Sequence, residues 1–204
     1  MHIAITGNIG AGKTTLAALL GKHFGWDVFY EVVEENPYLK DFYEDMSRWA
    51  FHTQVFFLNS RFQQVSKISE SQRGIVQDRT IYEDAHIFAK NLYTSGIMPQ
   101  RDFDNYTALF HSMSSLVKPP DLIIYLKADL PKLLHQIQLR NREYERNLSP
   151  EYLRNLNDHY ESWTQHYDHS KLLVVDANQL DFVHNPADLA TIIRKVETAL
   201  GIAS

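Results

Sequence analysis

The sequence predicts an α/β protein: a five-stranded parallel sheet flanked by helices. Three observations carry this. Five short apolar runs alternate with stretches of helical spacing along the 204 residues, the pattern of repeated strand and helix units. The first strand–helix junction is a glycine-rich loop. And the polar residues that could do chemistry gather just after the apolar runs, where ligands bind in parallel sheets.

Taken in order, His2-Ile3-Ala4-Ile5-Thr6 reads as a buried strand, followed by Gly7-Asn8-Ile9-Gly10-Ala11-Gly12-Lys13-Thr14. This segment fits G-x-x-x-x-G-K-[ST], the phosphate-cradling P-loop. Its glycines permit a turn whose backbone N–H groups point inward at anionic oxygens. Lys13 would reach the β- and γ-phosphates, and the Thr14 hydroxyl would bind Mg²⁺. Leu16, Leu19, Leu20 and Phe24 then fall at helical spacing, and the positive end of that helix favours the same anion. The candidate nucleotide-binding set is therefore Gly7, Asn8, Ile9, Gly10, Ala11, Gly12, Lys13, Thr14 and Thr15. The expected architecture is the three-layer P-loop NTPase fold.

Asp27 to Val33 reads as a second strand ending in acid, broken by Glu34-Glu35-Asn36-Pro37. A helix is expected over Ser47 to Ile68, with Phe51, Gln54, Leu58 and Arg61 on one face. Gly74 to Gln77 is a third strand that leads into Asp78-Arg79-Thr80. Helices follow at about Tyr82 to Tyr93 and Phe103 to Leu116, stopped by Pro119-Pro120. Asp121 to Leu126 is the clearest buried strand. Pro131 to Arg140 reads as a helix that finishes in the charged cluster Arg140, Arg142, Glu143, Glu145 and Arg146. Ser149-Pro150 starts another helix, with a cap residue before Pro at the first position. Leu172 to Asp176 is the fifth strand, and an amphipathic helix through Leu189, Ile192, Ile193, Val196 and Leu200 closes the chain before Gly201. No internal repeat, low-complexity stretch or linker interrupts this order, so residues 1–204 are expected to form a single domain.

Composition narrows the partners. The chain has no Cys, which excludes a disulfide framework and a thiolate zinc site. No apolar run approaches the ~18 residues of a membrane helix, and the first strand begins at once, with no room for a signal peptide. A cytoplasmic protein without membrane partners is expected. The formal net charge is −5 without a long Lys/Arg block, which argues against a nucleic-acid polymer as partner. His166 and His169 lie three apart without a metal-ligand set around them.

A nucleoside triphosphate site suits a kinase, a hydrolysing switch or a motor. D-x-x-G and N-K-x-D, the marks of GTPase switches, are absent, and the chain is short for most motors. A small-molecule kinase remains. Phosphoryl transfer needs positioning and charge compensation more than covalent help. Glu31 is the best-placed base, since it ends the expected strand, while Glu34 and Glu35 fall in the loop after it. Asp78 suits Mg²⁺, held through water. Arg79 suits a bridge between carboxylate and transferring phosphoryl group by its planar fork. Arg140, Arg142 and Arg146 suit a mobile lid over about 140–149 that adds positive charge at the transition state. Two other readings compete: a nucleoside monophosphate kinase, which would need further basic residues for its acceptor phosphate, and a nucleotide-binding regulator with little transfer activity.

Together these residues resemble the deoxyribonucleoside kinase family, in particular its bacterial deoxyadenosine/deoxycytidine kinases. The resemblance covers nearly the whole chain. It rests on the P-loop, the acid after the second strand, Trp49-x-x-x-x-Gln54 with Arg61, Asp78-Arg79-Thr80-Ile81-Tyr82-Glu83-Asp84, Arg140-x-Arg142, and Tyr152 through Glu161-Ser162-Trp163.

The resemblance implies transfer from ATP, with Mg²⁺, to the 5′-hydroxyl of a deoxynucleoside, in nucleotide salvage and by a homodimer. It makes Glu31 the base. Members often have Glu-Pro where this chain has Glu31-Val32, so Glu34 and Glu35 stay in competition. Asp78 stands where animal members commonly carry Glu. Tyr43 and Glu145 are implied to hold the sugar 3′-hydroxyl. Gln54 is implied to read the base, supported by Arg61 and Asp84, with Phe51 and Phe88 flanking it and Trp49 lining the pocket. Asp176, Asn178 and Gln179 match a loop that touches the donor purine. An amide offers one donor and one acceptor, which pair with adenine or, in the same sense, with cytosine. Deoxyadenosine is the expected first substrate and deoxycytidine the second.

Overall fold

The computed structural model describes residues 1–33, 35–145 and 148–202. Its sheet has five strands: β1 His2–Gly7, β2 Asp27–Phe29, β3 Ile75–Asp78, β4 Leu122–Lys127 and β5 Lys171–Asp176. The spatial order is β2-β3-β1-β4-β5, and every neighbouring pair is parallel. The register sets Ile5 of β1 beside both Asp78 of β3 and Ile124 of β4. The loop after β1 and the polar end of β3 therefore leave the sheet side by side.

The helices are α1 Lys13–Phe24, α2 Leu39–Glu44, α3 Met46–Glu70, α4 Ile81–Glu83, α5 Lys90–Thr94, α6 Gln100–Ser114, α7 Leu130–Arg140, α8 Pro150–His166 and α9 Pro186–Leu200. Between α4 and α5 the chain widens into a π-helical stretch, Asp84–Ala89. Alternate residues of each central strand serve opposite layers, as the two-residue period requires. Ile3, Ile5, Leu122, Ile124 and Leu126 pack against α1 and α9 through Leu16, Leu20, Ile192 and Val196. Ala4 and Ile123 face the other layer, built by Leu58 of α3, Ala85 and Ala89 of the π stretch, and Tyr106 and Phe110 of α6. Tyr125 packs there against Leu153, Leu156 and Tyr160 of α8. A sheet buried on both faces explains why its central strands read as unbroken apolar runs.

Two expectations change. The second strand ends at Phe29, not at Val33, so Glu31 stands in the loop beyond it. β2 is an edge strand with β3 as its neighbour, and its side chains are exposed or half-buried. The apolar residues beyond it serve the site: Val33 packs with Leu39 and Phe42. The helix expected over Tyr82 to Tyr93 begins as a capping box, in which Thr80 accepts from the Glu83 N–H and Glu83 accepts from the Thr80 N–H. It then continues through the π stretch rather than as one regular helix.

Candidate active site

The carboxyl ends of β1 and β3, the loop after β2, and α3 surround an open cavity lined by both charged and apolar side chains. Lys13, Thr14, Glu31, Tyr43, Gln54, Asp78, Arg79, Asp84, Phe88, Arg140, Arg142 and Glu145 all line it. Residues far apart in sequence thus meet as the motifs require.

At the phosphate end, Gly10 and Gly12 hold φ of 85° and 94°, the left-handed region that glycine tolerates. A Cβ on Gly10 would also lie 2.9 Å from the Leu133 carbonyl oxygen. The Lys13 ammonium donates to the Asn8 carbonyl at 2.9 Å. Burial and neighbouring Arg79 push its pKa down to about 8, against the pull of Asp78, Glu83 and Glu31. The Asn8 side chain turns away from the loop centre: its amide donates to the Leu153 carbonyl at 2.8 Å and to Asn157 Oδ1 at 2.6 Å, which ties the P-loop to α8. Thr15 is exposed on the first turn of α1, and Ala11 is buried in the core beneath the loop.

Thr14 Oγ1 donates to Asp78 Oδ2 at 2.5 Å. Asp78 Oδ1 is buried without a hydrogen-bond partner, and burial raises the Asp78 pKa despite nearby Lys13. A hydroxyl and an unsatisfied carboxylate oxygen beside a phosphate loop are the hard oxygen donors that suit Mg²⁺, with phosphate and water supplying the other ligands.

Glu31 sits between two arginines. Arg79 Nε donates to Oε2 at 2.9 Å and Arg61 Nη2 to Oε1 at 3.1 Å. Burial alone would raise its pKa, but Arg79, Arg61 and Lys13 bring it down to about 2. Arg79 has φ of 73°, one of two non-glycine residues with positive φ among those described; such a conformation costs about 1–3 kcal/mol and persists only where surroundings fix it. Its guanidinium carbon lies 4.7 Å from the Phe88 ring centre.

At the other end, Arg61 works from behind. It is 2% exposed, and it joins Glu31 to the Asp78 carbonyl at 3.0 Å and to Asp84 Oδ2 at 3.4 Å. Burial raises the Asp84 pKa to about 7 against the pull of Arg61, and Glu31 and Glu83 add to the rise. Gln54 is 3% exposed and lines the cavity, and its Oε1 has no hydrogen-bond partner.

Tyr43 and Glu145 approach from the third side. Tyr43 stacks on Tyr144 with ring centres 5.6 Å apart, and burial with nearby Tyr152 and Glu145 raises its pKa well above the ordinary value. Glu145 accepts from Arg140 Nη2 at 2.6 Å and Nε at 3.2 Å, and lies 3.7 Å from Arg142 Nη1. Arg146 and Glu34 lie outside the described residues; Glu35 is exposed.

Trp49 and Phe51 do not line the cavity. Trp49 stacks on Tyr38 at 5.6 Å, and Phe51 packs in the layer with Leu58, Tyr106 and Phe110. At about 100° per residue, Phe51 and Phe57 flank Gln54 on opposite sides of α3. The cavity takes the Thr53 and Phe57 side. Asp176 and Asn178 also lie off the cavity wall: Asn178 Oδ1 accepts from the Asp129 N–H at 3.0 Å and joins the turn after β5 to the start of α7.

The motifs also left residues unread. Tyr30, Val33, Phe42 and Phe57 line the cavity without a motif spacing of their own, and Tyr152, which opens the matched segment before Trp163, lines it with no role assigned to it from sequence. Glu83 is fully buried beneath Arg79. The T-x-x-E spacing from Thr80 signals its cap role, but its second contact depends on Tyr160 of α8, for which the sequence carries no sign.

The deoxynucleoside kinase family matches residues 3–201. The chain belongs to that family. Deoxyadenosine kinase of Dictyostelium discoideum is 47% identical over 194 residues, covering 95% of this chain and 78% of the relative. Deoxyadenosine/deoxycytidine kinase of Bacillus subtilis is 36% identical over 200 residues, covering 97% and 92%. The structure of deoxyadenosine kinase from M. mycoides with products dCMP and a flexible dCDP bound superposes with a TM-score of 0.87 at 33% identity, covering 97% of this chain and 100% of that one. The chain is thus a deoxynucleoside kinase with the P-loop fold, and its site is a nucleotide-binding kinase site.

Proposed function

We propose that this kinase transfers the γ-phosphoryl group of ATP to the 5′-hydroxyl of deoxyadenosine, with deoxycytidine second, and so returns deoxynucleosides to the nucleotide pool. The observation that carries the base preference is the pair of buried acceptors, Gln54 and Asp84, in the cavity wall. Gln54 Oε1 is buried and unpartnered, and Asp84 lines the same cavity with one oxygen on Arg61. A buried acceptor left empty is costly, by about 1–3 kcal/mol. An exocyclic amine has two hydrogens to give, and the Gln54 amide N–H pairs with the adjacent ring nitrogen. Adenine and cytosine both present that edge; guanine and thymine present a carbonyl in place of the amine. The deoxyadenosine kinase and deoxyadenosine/deoxycytidine kinase relatives support the same reading, while a deoxyguanosine kinase of Bacillus subtilis at 34% identity makes deoxyguanosine the competitor to test.

In this reading the 5′ oxygen attacks the γ-phosphorus, the bond to the bridging oxygen breaks, and ADP leaves. The proton of the 5′-hydroxyl passes to Glu31. A carboxylate with a pKa of about 2 is a weak base, so it orients the hydroxyl first and takes the proton late, once bonding to phosphorus has made the hydroxyl acidic. Lys13, Arg79 and, once freed from Glu145, Arg140 and Arg142 balance the charge on the phosphoryl oxygens. Tyr43 and Glu145 bind the 3′-hydroxyl. Thr14 and Asp78 would hold Mg²⁺, which when bound offsets phosphate charge and orients the donor. An uncharged acceptor suits a cavity with Glu31, Asp84 and Glu145 in its wall better than a monophosphate does.

The proposal carries a homodimer and a cytoplasmic setting with it, both on the family resemblance. Among the described residues no helix is long and apolar enough to cross a membrane. Light scattering during gel filtration tests the dimer. The substrate order is tested by kcat/KM with Mg·ATP for deoxyadenosine, deoxycytidine, deoxyguanosine and thymidine. Deoxyadenosine ahead of deoxycytidine, and both well ahead of thymidine, is the expected outcome. Deoxyguanosine or thymidine in the lead would overturn the base assignment.

A further inference from the structure

Two buried groups behind the cavity, Glu83 and Tyr160, have no role in the chemistry just described. Both are 0% exposed, and neither lines the cavity. We propose that they form a positioning pair for phosphoryl transfer, which clamps the Arg79 guanidinium at Nη1 so that Nε holds Glu31 and Nη2 is left to face the transferring group. The inference rests on the reading of Arg79 as a residue that balances charge in the transition state.

The contacts go beyond what a helix cap needs. Glu83 Oε2 completes the capping box by accepting from the Thr80 N–H at 2.9 Å. Its other oxygen points inward. Glu83 Oε1 accepts from Arg79 Nη1 at 3.1 Å and from the Tyr160 hydroxyl at 2.6 Å. The same hydroxyl lies 2.9 Å from the Gly7 carbonyl and accepts from Arg79 Nη1 at 3.1 Å. Nη1 also reaches the Gly7 carbonyl at 3.4 Å. A fully buried carboxylate is tolerated only when charge and hydrogen bonds compensate it, and Arg79 is the cation in direct contact with it.

Seen from Arg79, the clamp is nearly complete. Nε is held by Glu31 and Nη1 by Glu83, Tyr160 and Gly7. One face of the fork lies over Phe88. Nη2 has no hydrogen bond among the described residues, and Arg79 lines the cavity. A planar fork fixed along two edges presents its remaining N–H groups in one direction. The left-handed backbone at Arg79 is maintained by this surround. Tyr160 adds a second link: it stands on α8, which follows the lid segment, and touches Gly7 at the start of the P-loop. Arginine, phosphate loop and lid-side helix thus share one buried hydroxyl.

A double-mutant cycle tests this on the full-length enzyme. kcat and KM for deoxyadenosine and ATP are measured for Glu83→Gln, Tyr160→Phe and Arg79→Lys, and for each of the first two combined with the third. Active-site concentration is set by nucleotide-binding titration. We expect Tyr160→Phe to lower kcat ~10-fold and Glu83→Gln ~10²-fold, with both KM values within about threefold. In the Arg79→Lys background each should lower kcat by less than about threefold, because the pair acts through that side chain. Full multiplication of the losses in the double variants would make the pair structural only and overturn the inference, while leaving the role of Arg79 intact. Wild-type kcat in Arg79→Lys alone would overturn the role of Arg79 and the inference with it. If Glu83→Gln does not fold, the isosteric Tyr160→Phe decides alone: unchanged kcat overturns the inference.

Discussion

Arg79 Nε donates to Glu31 Oε2 at 2.9 Å, which joins the end of β3 to the loop after β2 across the mouth of the cavity. The contact keeps Glu31 ionised and aimed, and it makes the carboxylate a better orienting group than a strong base. Glu31→Gln keeps the shape but gives up the charge and the proton acceptor. It should lower kcat ~10²-fold or more, with KM for deoxyadenosine changed by less than about threefold. Steady-state kinetics check this. A near-normal kcat would move the base role to another acid of the same loop.

Asp84 should control the pH profile. Burial lifts its pKa to about 7, opposed by Arg61, with Glu31 and Glu83 adding to the rise and Arg79 opposing it. Protonated Asp84 loses acceptor capacity toward an amine. kcat/KM for deoxyadenosine should therefore rise with pH through about 7, until loss of the Lys13 proton, whose pKa is about 8, brings it down again. Glu31, depressed to about 2, adds no limb in that range. Asp84→Asn should remove the rising limb; a rising limb at the same pH in that variant would assign it elsewhere. The stability effects have opposite signs. The Glu31 contribution is present above its ordinary value of 4.5 and is lost as pH falls toward about 2. The Asp84 contribution is largest below its ordinary value of 3.8 and is lost as pH rises through about 7.

Glu145 accepts from Arg140 and lies 3.7 Å from Arg142. In the proposed reading a 3′-hydroxyl would compete for the same carboxylate and free these cations for the donor phosphates. Glu145→Gln should raise KM for deoxyadenosine ~10-fold. It should also shrink the preference for deoxyadenosine over 2′,3′-dideoxyadenosine to within about threefold. A preference kept at the wild-type level would separate Glu145 from the sugar.

Gly21 is a packing position in the last turn of α1. A Cβ there would lie 2.2 Å from Val28 Cγ2 and 3.2 Å from the Trp26 carbonyl oxygen. Gly21→Ala should lower stability by about 1–3 kcal/mol through overpacking, although alanine is the better helix former. Denaturant unfolding, read as a shifted midpoint with unchanged slope, measures it. An unchanged or raised midpoint would mean that α1 and β2 separate freely.

The sheet was legible because its central strands are buried on both faces and its phosphate loop has a rigid spacing. Lys13, Thr14, Asp78, Arg79 and Gln54 could be read because each belongs to a motif or a helical face. The exact side of α3 could not. Phe51 and Phe57 are equally apolar and equally spaced from Gln54, and only the packing of α6 against α3 decides which is core. The end of β2 was overread because the apolar residues after Phe29 line the cavity rather than extend the strand. Tyr160 stayed hidden because its partners lie 153 and 77 residues away in the chain.

Gln54 and Asp84 are the groups proposed to recognise an amino base. The most direct measurement is the ratio of kcat/KM for deoxyadenosine to that for deoxyinosine with Mg·ATP. The two nucleosides differ at position 6, amine against carbonyl, with the accompanying proton on the ring nitrogen. A ratio of ~10² or more is expected, because deoxyinosine leaves the Gln54 and Asp84 acceptors facing an oxygen. A ratio near one would contradict that role and would place base selection outside this pair.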